Sequence, residues 1–447
     1  METLRNPQDS PTRSDRRATR RDFLVKAGAA GAAISAAACS LPPNLSKPKK
    51  LAAVPPPEPP PAGEPIRMGI IGVGGMGGGH LHAFLNFHQK GTEEADIVAL
   101  SDVARPRLDD GMRVLADGQK GVEVSAYPDY RDLLKRPDIH AVLIATPEHW
   151  HYKHAIDAIR AGKDVYCEKP MSLRLWQALE VEKVVRNRDR MFNVGTQHIM
   201  QPKYGEARKL VRAGAIGKLV WSQTSYCRNS KDGEWNYYGI DKRIQPGKTL
   251  DWNAWCGPNK FIPWDPLVYH RWRRYKDWST GIIGDLLVHV MTPLVWAQDL
   301  GWPRRVVAAG DHVVDLAMEN HDQVNLTVDF EGGHQMVVSG STANEIGLET
   351  VIRGHKGTIY LGGGNCVMRP ERIFSDEVEE KVVRLKQVAD QDEMRLAWLR
   401  SIRTRKTPPG NIDLATKMMV AVDLATRSMW EGHAFVFDRD KNRTLRA

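Results

Sequence analysis

The stretch "GIIGVGGMGGGH", Gly69–His80, decides how the first half of the chain is read. An apolar run beginning at Ile66 leads into Gly72-Val73-Gly74-Gly75-Met76-Gly77, and a helical pattern follows from Gly78 to about Lys90. Strand, glycine turn and helix, in that order, is the setting in which G-x-G-x-x-G has a mechanical meaning. The first glycine permits the tight turn, the second lets backbone approach a pyrophosphate, and the third lets helix pack on strand. The helix N-terminus then offers free amides to the phosphates. "DIVALSD", Asp96–Asp102, reads as the second strand, with Asp102 at its end placed to accept from an adenosine ribose. It lies 30 residues after Gly72, beyond the usual spacing of about 20, and "FHQKGTEEAD" supplies the excess as a longer connection. A carboxylate there repels a 2′-phosphate and favours NAD over NADP; Arg105 and Arg107 weigh the other way. The alternative for Asp102 is a helix cap or turn residue.

The alternation continues outward. "VEVSAY" reads as a strand, "DYRDLLKR" as a short helix, and "HAVLIATP" (His140–Pro147) as a buried strand ending in a turn. "HYKHAIDAIRAG" is an amphipathic helix stopped by Gly162. "DVYCEKP" is a fifth strand, a helix follows from about Leu173 to Asn187, and "MFNVGT" is a sixth strand. Strands alternating with helices predict a parallel, doubly wound sheet. Its ligands sit at the carboxyl ends of the strands, where Thr146-Pro147 and Glu168-Lys169-Pro170 face the same crevice as the glycine turn.

Lys169, at such a strand end, has the chemistry to stabilise a developing alkoxide or share its proton; the alternative is an exposed charge. Far along the chain, "STGIIGDLLVHVMTPLVWAQDLG" (Ser279–Gly301) has helical periodicity and places Asp285 and His289 four apart on one face. Two titratable groups amid Ile, Leu and Val perturb each other if buried, and a neutral imidazole there can take a hydroxyl proton; the alternative is a satisfied core pair. No third metal ligand is evident beside them, and His149, His151 and His154 do not converge on one helical face, so no metal is expected.

"GVGGMG", "IATPEHWH", "CEKPM" and "GDLLVH" together resemble the glucose-fructose oxidoreductase, inositol dehydrogenase and rhizopine catabolism family, over about residues 66 to 447. The resemblance implies a Rossmann domain followed by an α+β domain on an open, largely antiparallel sheet. It implies Lys169, Asp285 and His289 as the catalytic set, with His289 as base. Gly72, Gly74, Gly75, Met76, Gly77, Asp102, Thr146, Pro147, His151, Glu168 and Lys169 would border NAD, and Gln197 would approach the nicotinamide. Glu148 departs from the family, many members having Asn after Thr-Pro. Members often pair through the open sheet, so a homo-oligomer is expected.

In the second half, "LVWSQTSY", "RRVVAAGDHVV", "DQVNLTVDFEGGHQMVVSGS" and "ETVIRGHKGTIYLGG" read as strands, with Gly332-Gly333 at a hairpin turn. "NIDLATKMMVAVDLATRSMWEG" is a closing helix with Asn411 as N-cap. The stretch Ser230–Trp278 lacks periodicity and holds Trp235, Trp252, Trp255, Trp264, Trp272 and Trp278, with Tyr237, Tyr238, Tyr269 and Tyr275. Such aromatics either stack on sugar rings or fasten a long loop. Arg271, Arg273 and Arg274 can engage hydroxyls or carboxylates.

Ahead of all this lies "TRRDFLVKAGAAGAAISAAAC", Thr19–Cys39. Arg20-Arg21 resembles a twin-arginine export signal, which implies the export machinery as a partner and the periplasm or cell envelope as destination. Ala27–Ala38 is too short to span a bilayer, and Ala36-Ala37-Ala38 fits a cleavage site. Cys39 resembles a lipid-anchor acceptor, although Ala36 stands where a lipobox has Leu; plain cleavage is the alternative. The proline-dense Ser40–Pro65 favours extended polyproline II, as a passive tether or as an arm wrapping the protein's own cofactor or a neighbouring subunit.

The organisation is therefore a signal over 1–39, a linker or arm over 40–65, a Rossmann domain over 66–190 and a substrate-binding and oligomerisation domain over 191–447. At 447 residues, 42% hydrophobic and 26% charged, the chain is ordinary for a folded protein of two or three domains. The net charge of +9 is dispersed, with no dense basic run, so nucleic acid is not expected. Five scattered cysteines without a CxxC pair predict free thiols rather than a disulfide framework. The expected activity is hydride transfer at a secondary hydroxyl of a sugar, cyclitol or glycoside, with tightly held NAD or NADP. A redox-neutral glycosidase acting by oxidation and elimination is the second reading, ranked below because relatives best known for it lack the EKP motif. A non-catalytic envelope sugar-binding protein is the third.

Overall fold

Apolar strands with nothing polar to show to water must be covered on both faces, and the first half of the chain solves this with helices. The computed structural model describes residues 60–61, 63–92 and 95–447; the Arg20-Arg21 segment, Cys39 and most of Ser40–Pro65 lie outside the described residues. β1 (Ile66–Ile71), α1 (Gly75–Lys90), β2 (Ala95–Ser101), α2 (Arg105–Gly118), β3 (Ser125–Tyr127), α3 (Tyr130–Leu134), β4 (Ala141–Ile144), α4 (Glu148–Arg160), β5 (Asp164–Cys167), α5 (Leu175–Arg186) and β6 (Phe192–Val194) follow in order. The six strands are parallel, in the order β3-β2-β1-β4-β5-β6. Every residue of β2, β4 and β5 is buried. Strand order reverses between β1 and β4, which opens a crevice at their carboxyl ends.

The second half is built on a half-covered sheet. After α6 (Pro202–Arg212) come β7 (Leu219–Cys227), α7 (Trp252–Cys256), α8 (Pro266–His270), a π turn (Ile283–Leu287) and α9 (Val288–Gln298). β8 (Pro303–Asp311), β9 (Gln323–Phe330), β10 (Gln335–Ser341), β11 (Val351–Gly354), β12 (Gly357–Tyr360), β13 (Asn365–Pro370) and β14 (Lys381–Arg384) complete most of the sheet. α10 (Asp390–Thr404), α11 (Ile412–Glu431), β15 (Phe435–Asp438) and β16 (Arg443–Arg446) end the chain. The ten strands lie in the order β14-β13-β12-β11-β7-β10-β9-β8-β15-β16, antiparallel except for β7 with β10. Burial alternates along β9, as expected where one face is covered, here by α11.

Several boundaries differ from the sequence reading. β6 belongs to the first sheet although it lies past residue 190. α1 begins at Gly75, three residues early, because Gly74 supplies the cap position. α10 was not legible: its sequence is charge-rich, yet its Trp398 is fully buried against Phe84 and Tyr166 of the first half, at ring distances of 6.4 and 5.5 Å. Two strands follow α11, the helix expected to close the fold. Cys167, Cys227, Cys256 and Cys366 are free thiols, and no helix among the described residues is long and apolar enough to cross a membrane.

Asn411 caps α11 as expected, its Oδ1 accepting from Asp413 N at 3.1 Å and Leu414 N at 3.2 Å. Asn411→Ala should lower unfolding stability by about 1 kcal/mol in urea titration. No measurable change would show that the cap contributes nothing beyond what water supplies.

Candidate active site

The glycine turn comes first because it touches both sheet and ligand crevice. Gly72 has φ +87°, and a Cβ there would lie 2.7 Å from Thr146 N. A Cβ on Gly77 would lie 1.9 Å from the Gly72 carbonyl oxygen. Those two positions are glycine for the fold's own packing. At Gly74 and Gly75 an added Cβ meets nothing within 4 Å, so bare backbone there suits something that approaches from outside. No side chain caps Gly74 at the start of α1, which leaves the first amides for an anion; Met76, 38% exposed, borders them. Asp102 accepts from Val73 N at 2.8 Å and Ala104 N at 2.9 Å. Burial pushes its pKa up against those bonds. The residue thus pins the turn to the end of β2, and each carboxylate oxygen keeps a lone pair for a ribose hydroxyl. These residues fit a dinucleotide.

The crevice also gathers the predicted catalytic residues. Lys169 Nζ, from the end of β5, donates to the Asp285 carbonyl oxygen at 2.7 Å and to Asp285 Oδ1 at 2.9 Å. Arg273 Nε donates to the same Oδ1 at 2.8 Å. Lys169, Asp285 and His289 are 9%, 6% and 7% exposed. Burial alone would raise the Asp285 pKa, but the Arg273 and Lys169 cations outweigh it and hold the carboxyl well below the usual range. Burial, with the Lys169 charge and His198 beside it, holds the His289 imidazole well below its ordinary value against the opposing pull of Asp285. The ring is neutral at pH 7, and its buried Nδ1 has no partner.

The helix carrying these groups is not the uniform one its periodicity suggests. Asp285 sits in the π turn and His289 in α9, so four-residue spacing does not stack them one above the other, and they share no hydrogen bond among those of the described residues. Pro293 lies inside α9, four residues after His289, and has no N–H to give the His289 carbonyl. His198 lies beside that residue, its ring centroid 5.1 Å from that of His289. His198 was missed from sequence.

The other predicted cofactor residues divide. His151 spans the carbonyls of Thr146 and Pro170, 2.7 Å from each, so its ring fastens two strand ends. Thr146 Oγ1 contacts His154 Nδ1 at 3.2 Å. Pro147 precedes α4, and Gln197 opens a short turn that packs on α9 and α10. The Glu168 carboxylate turns inward: it lies 2.9 Å from His80 Nε2, and Arg395 Nε of α10 donates to His80 Nδ1 at 2.9 Å. His80 and Arg395 gave no sequence signal, because a chain link across 315 residues has none. His149 pairs with the Trp255 carbonyl at 2.8 Å, and no three metal-ligating side chains gather among the described residues.

Two family models match this chain. "Oxidoreductase family, NAD-binding Rossmann fold" matches residues 66–196 and "Oxidoreductase family, C-terminal alpha/beta domain" matches 200–446. The chain belongs to the glucose-fructose oxidoreductase, inositol dehydrogenase and rhizopine catabolism (Gfo/Idh/MocA) family of oxidoreductases. It is 31% identical over 164 residues to an inositol 2-dehydrogenase/D-chiro-inositol 3-dehydrogenase of Lactiplantibacillus plantarum, covering 36% of this chain and 44% of that protein. It is 31% identical over 250 residues to an alpha-N-acetylgalactosaminidase of Shewanella oneidensis, covering 50% and 51%. The chain thus spans about half the length of these curated relatives. A levoglucosan dehydrogenase solved with NADH and L-sorbose has the same fold, with TM-score 0.62, 18% identity, and 86% and 99% coverage.

Glu148, at the start of α4, has a structural use in this chain. Glu148 is fully buried, and both its oxygens accept from Thr280 N at 3.1 Å while Oε1 accepts from Thr280 Oγ1 at 2.8 Å. It ties the start of α4 to the segment entering the π turn. The aromatic-rich stretch, in contrast, supplies little sugar-facing surface. Trp235, Trp252, Trp255 and Trp278 are buried, and Trp252 stacks on Trp255 at 4.6 Å, because irregular chain needs a core of its own. Tyr237 and Tyr238 stay exposed, at 56% and 41%. Of the three arginines, Arg274 pairs with Asp315 and Arg271 with Tyr238 O and Asn236; Arg273 alone reaches Asp285.

Burial, with Asp285 nearby, raises the Glu148 pKa from 4.5 to about 7 despite the bonds from Thr280 and Ser279. The folded protein keeps this proton where the unfolded chain has lost it, so the group makes stability fall as pH rises from 4.5 to about 7. Glu148→Gln, which keeps an acceptor for Thr280, should be more stable than wild type by roughly 1–3 kcal/mol at pH 8, the gap closing toward pH 4.5. A pH-independent difference in denaturant titrations would contradict this.

Proposed function

We propose that the protein is an exported NAD-dependent oxidoreductase that transfers hydride at a secondary hydroxyl of a sugar, cyclitol or glycoside. The observation that carries this is the buried Lys169–Asp285–Arg273 cluster beside a neutral His289, at the strand ends that flank the glycine turn. Bound NAD would supply the acceptor for the carbinol hydride. His289, uncharged, takes the hydroxyl proton as the carbon–hydrogen bond breaks. Lys169 donates to the oxygen on which charge develops. Asp285 holds the ammonium in place through two hydrogen bonds, and Arg273 fixes that carboxylate from the opposite segment. Replacing either partner of so buried a pair leaves an uncompensated charge. Asp102 at the ribose end favours NAD over NADP.

The inositol dehydrogenase relative supports a polyol substrate. Arg20-Arg21 supports export, with the periplasm or envelope as destination and Cys39 as the candidate lipid site, and the open sheet supports pairing of two copies. A twin-arginine route carries folded proteins, so cofactor can cross already bound; outside, dissociated dinucleotide is lost. Retained cofactor in turn calls for a cycle that regenerates it in place, through a second substrate or by returning the hydride to the first.

A second reading has specific support. The alpha-N-acetylgalactosaminidase relative favours transient oxidation, elimination of the glycoside and return of the hydride. Purified protein should be assayed with inositols and with an N-acetylgalactosaminide. Net reduction of nicotinamide supports the dehydrogenase, and released sugar without net redox change supports the glycosidase. In either case His289→Ala should lose about 10²–10⁴-fold in kcat/KM with cofactor content unchanged. Wild-type activity in both Lys169→Ala and His289→Ala would end both readings.

A further inference from the structure

The stretch from Asp241 to Trp278 is a long excursion between β7 and the π turn, and it does not stay with its own sheet. It reaches the first half at two places. Arg105 N donates to Thr249 O at 2.8 Å and Asp251 N to Val103 O at 3.1 Å, so residues 249–251 pair antiparallel with the turn immediately after Asp102. Arg243 grips Asp110 of α2 with two hydrogen bonds of 3.1 and 2.7 Å. At the other place, the Trp255 carbonyl faces His149 Nε2 and accepts from Trp150 Nε1, each at 2.8 Å. Gly257 lies so close that a Cβ would sit 2.1 Å from the Trp150 ring. The excursion also has its own core, of Ile244, Leu250, Trp252, Trp255, Val268 and Trp278, which incorporates Ala104.

These two places are the turn after β2 and the first turn of α4, which follows β4. In a sheet of this strand order the adenosine half of a dinucleotide lies beside the first of them, held by the acid at its end. Tyr269 stands at that point, near enough to Asp102 and Arg107 for their charges to act on its hydroxyl, with its ring packed on Trp255 and Trp264 at 5.6 and 5.8 Å.

We infer that this excursion is the roof of the adenosine site, with Tyr269 covering the ribose, and that it slows cofactor release by bridging the two turns. It rests on the reading of the first half as an NAD site with retained cofactor. The earlier alternative, Ser40–Pro65 as the strap, is then unnecessary for retention.

The test uses the full chain with NADH bound, chased with excess NAD and followed by nicotinamide fluorescence, together with calorimetric titration of ADP into cofactor-free protein. Tyr269→Ala and Arg243→Ala should each release NADH at least tenfold faster, and Tyr269→Ala should bind ADP at least tenfold more weakly. Tyr269→Phe separates covering by the ring, which it keeps, from any polar contact of the hydroxyl. Unchanged release and ADP affinity in both alanine variants, at wild-type melting temperature, would overturn the roof. So would faster release on deleting residues 40–65 alone. Wild-type protein that binds neither NADH nor ADP would instead overturn the cofactor reading beneath it.

Discussion

One carboxylate, Asp285, sits where three segments of the chain meet. Lys169 arrives from the end of β5, Arg273 from the excursion before the π turn, and both donate to the same oxygen. A buried ion is tolerated only when its partners are in place, so this contact sets how the two halves of the protein face each other near the crevice. Two cations on one anion leave the cluster net positive. Burial keeps His289 neutral and the Lys169 charge adds to that effect, while the surplus favours an oxygen that acquires negative charge during reaction. The same anion bears on Glu148, whose proton it helps retain.

The helix that presents these groups is irregular where the chemistry is. A π turn spans Asp285, and Pro293 interrupts the hydrogen bonding of α9. Such interruptions weaken a helix, and π bulges gather at functional sites. Here His198 packs against the His289 ring, and the entry to the π turn is held by Glu148 from across the crevice. The irregularity is thus braced from two other elements, which fixes the imidazole without giving its Nδ1 a partner.

The nucleotide half is also less self-contained than its motif suggests. α10, far along the chain, places Arg395 against His80 and buries Trp398 on the back of the glycine helix and β5. The aromatic excursion sits on the turn after β2 and on the first turn of α4. The second half therefore supports the cradle from behind and from above.

The sequence by itself determined the local architecture. The glycine turn, the buried apolar runs of β1, β2, β4 and β5, the alternation of β9 and β10 and the Asn411 cap are set by neighbours a few residues apart, and they are legible for that reason. Residue type and strand-end position also brought Lys169 and Asp102 to the crevice, while the family resemblance joined Asp285 and His289 to them. What only the tertiary structure decided are pairings between distant segments: Lys169 with Asp285 across 116 residues, Glu148 with Thr280 across 132, His80 with Arg395 across 315. It also sent four of the six tryptophans of the aromatic stretch inward and chose Arg273 over its two neighbours. None of these follows from periodicity, because a side chain's partner across the fold depends on where two folded surfaces meet, and one strand or helix contains only half of that information.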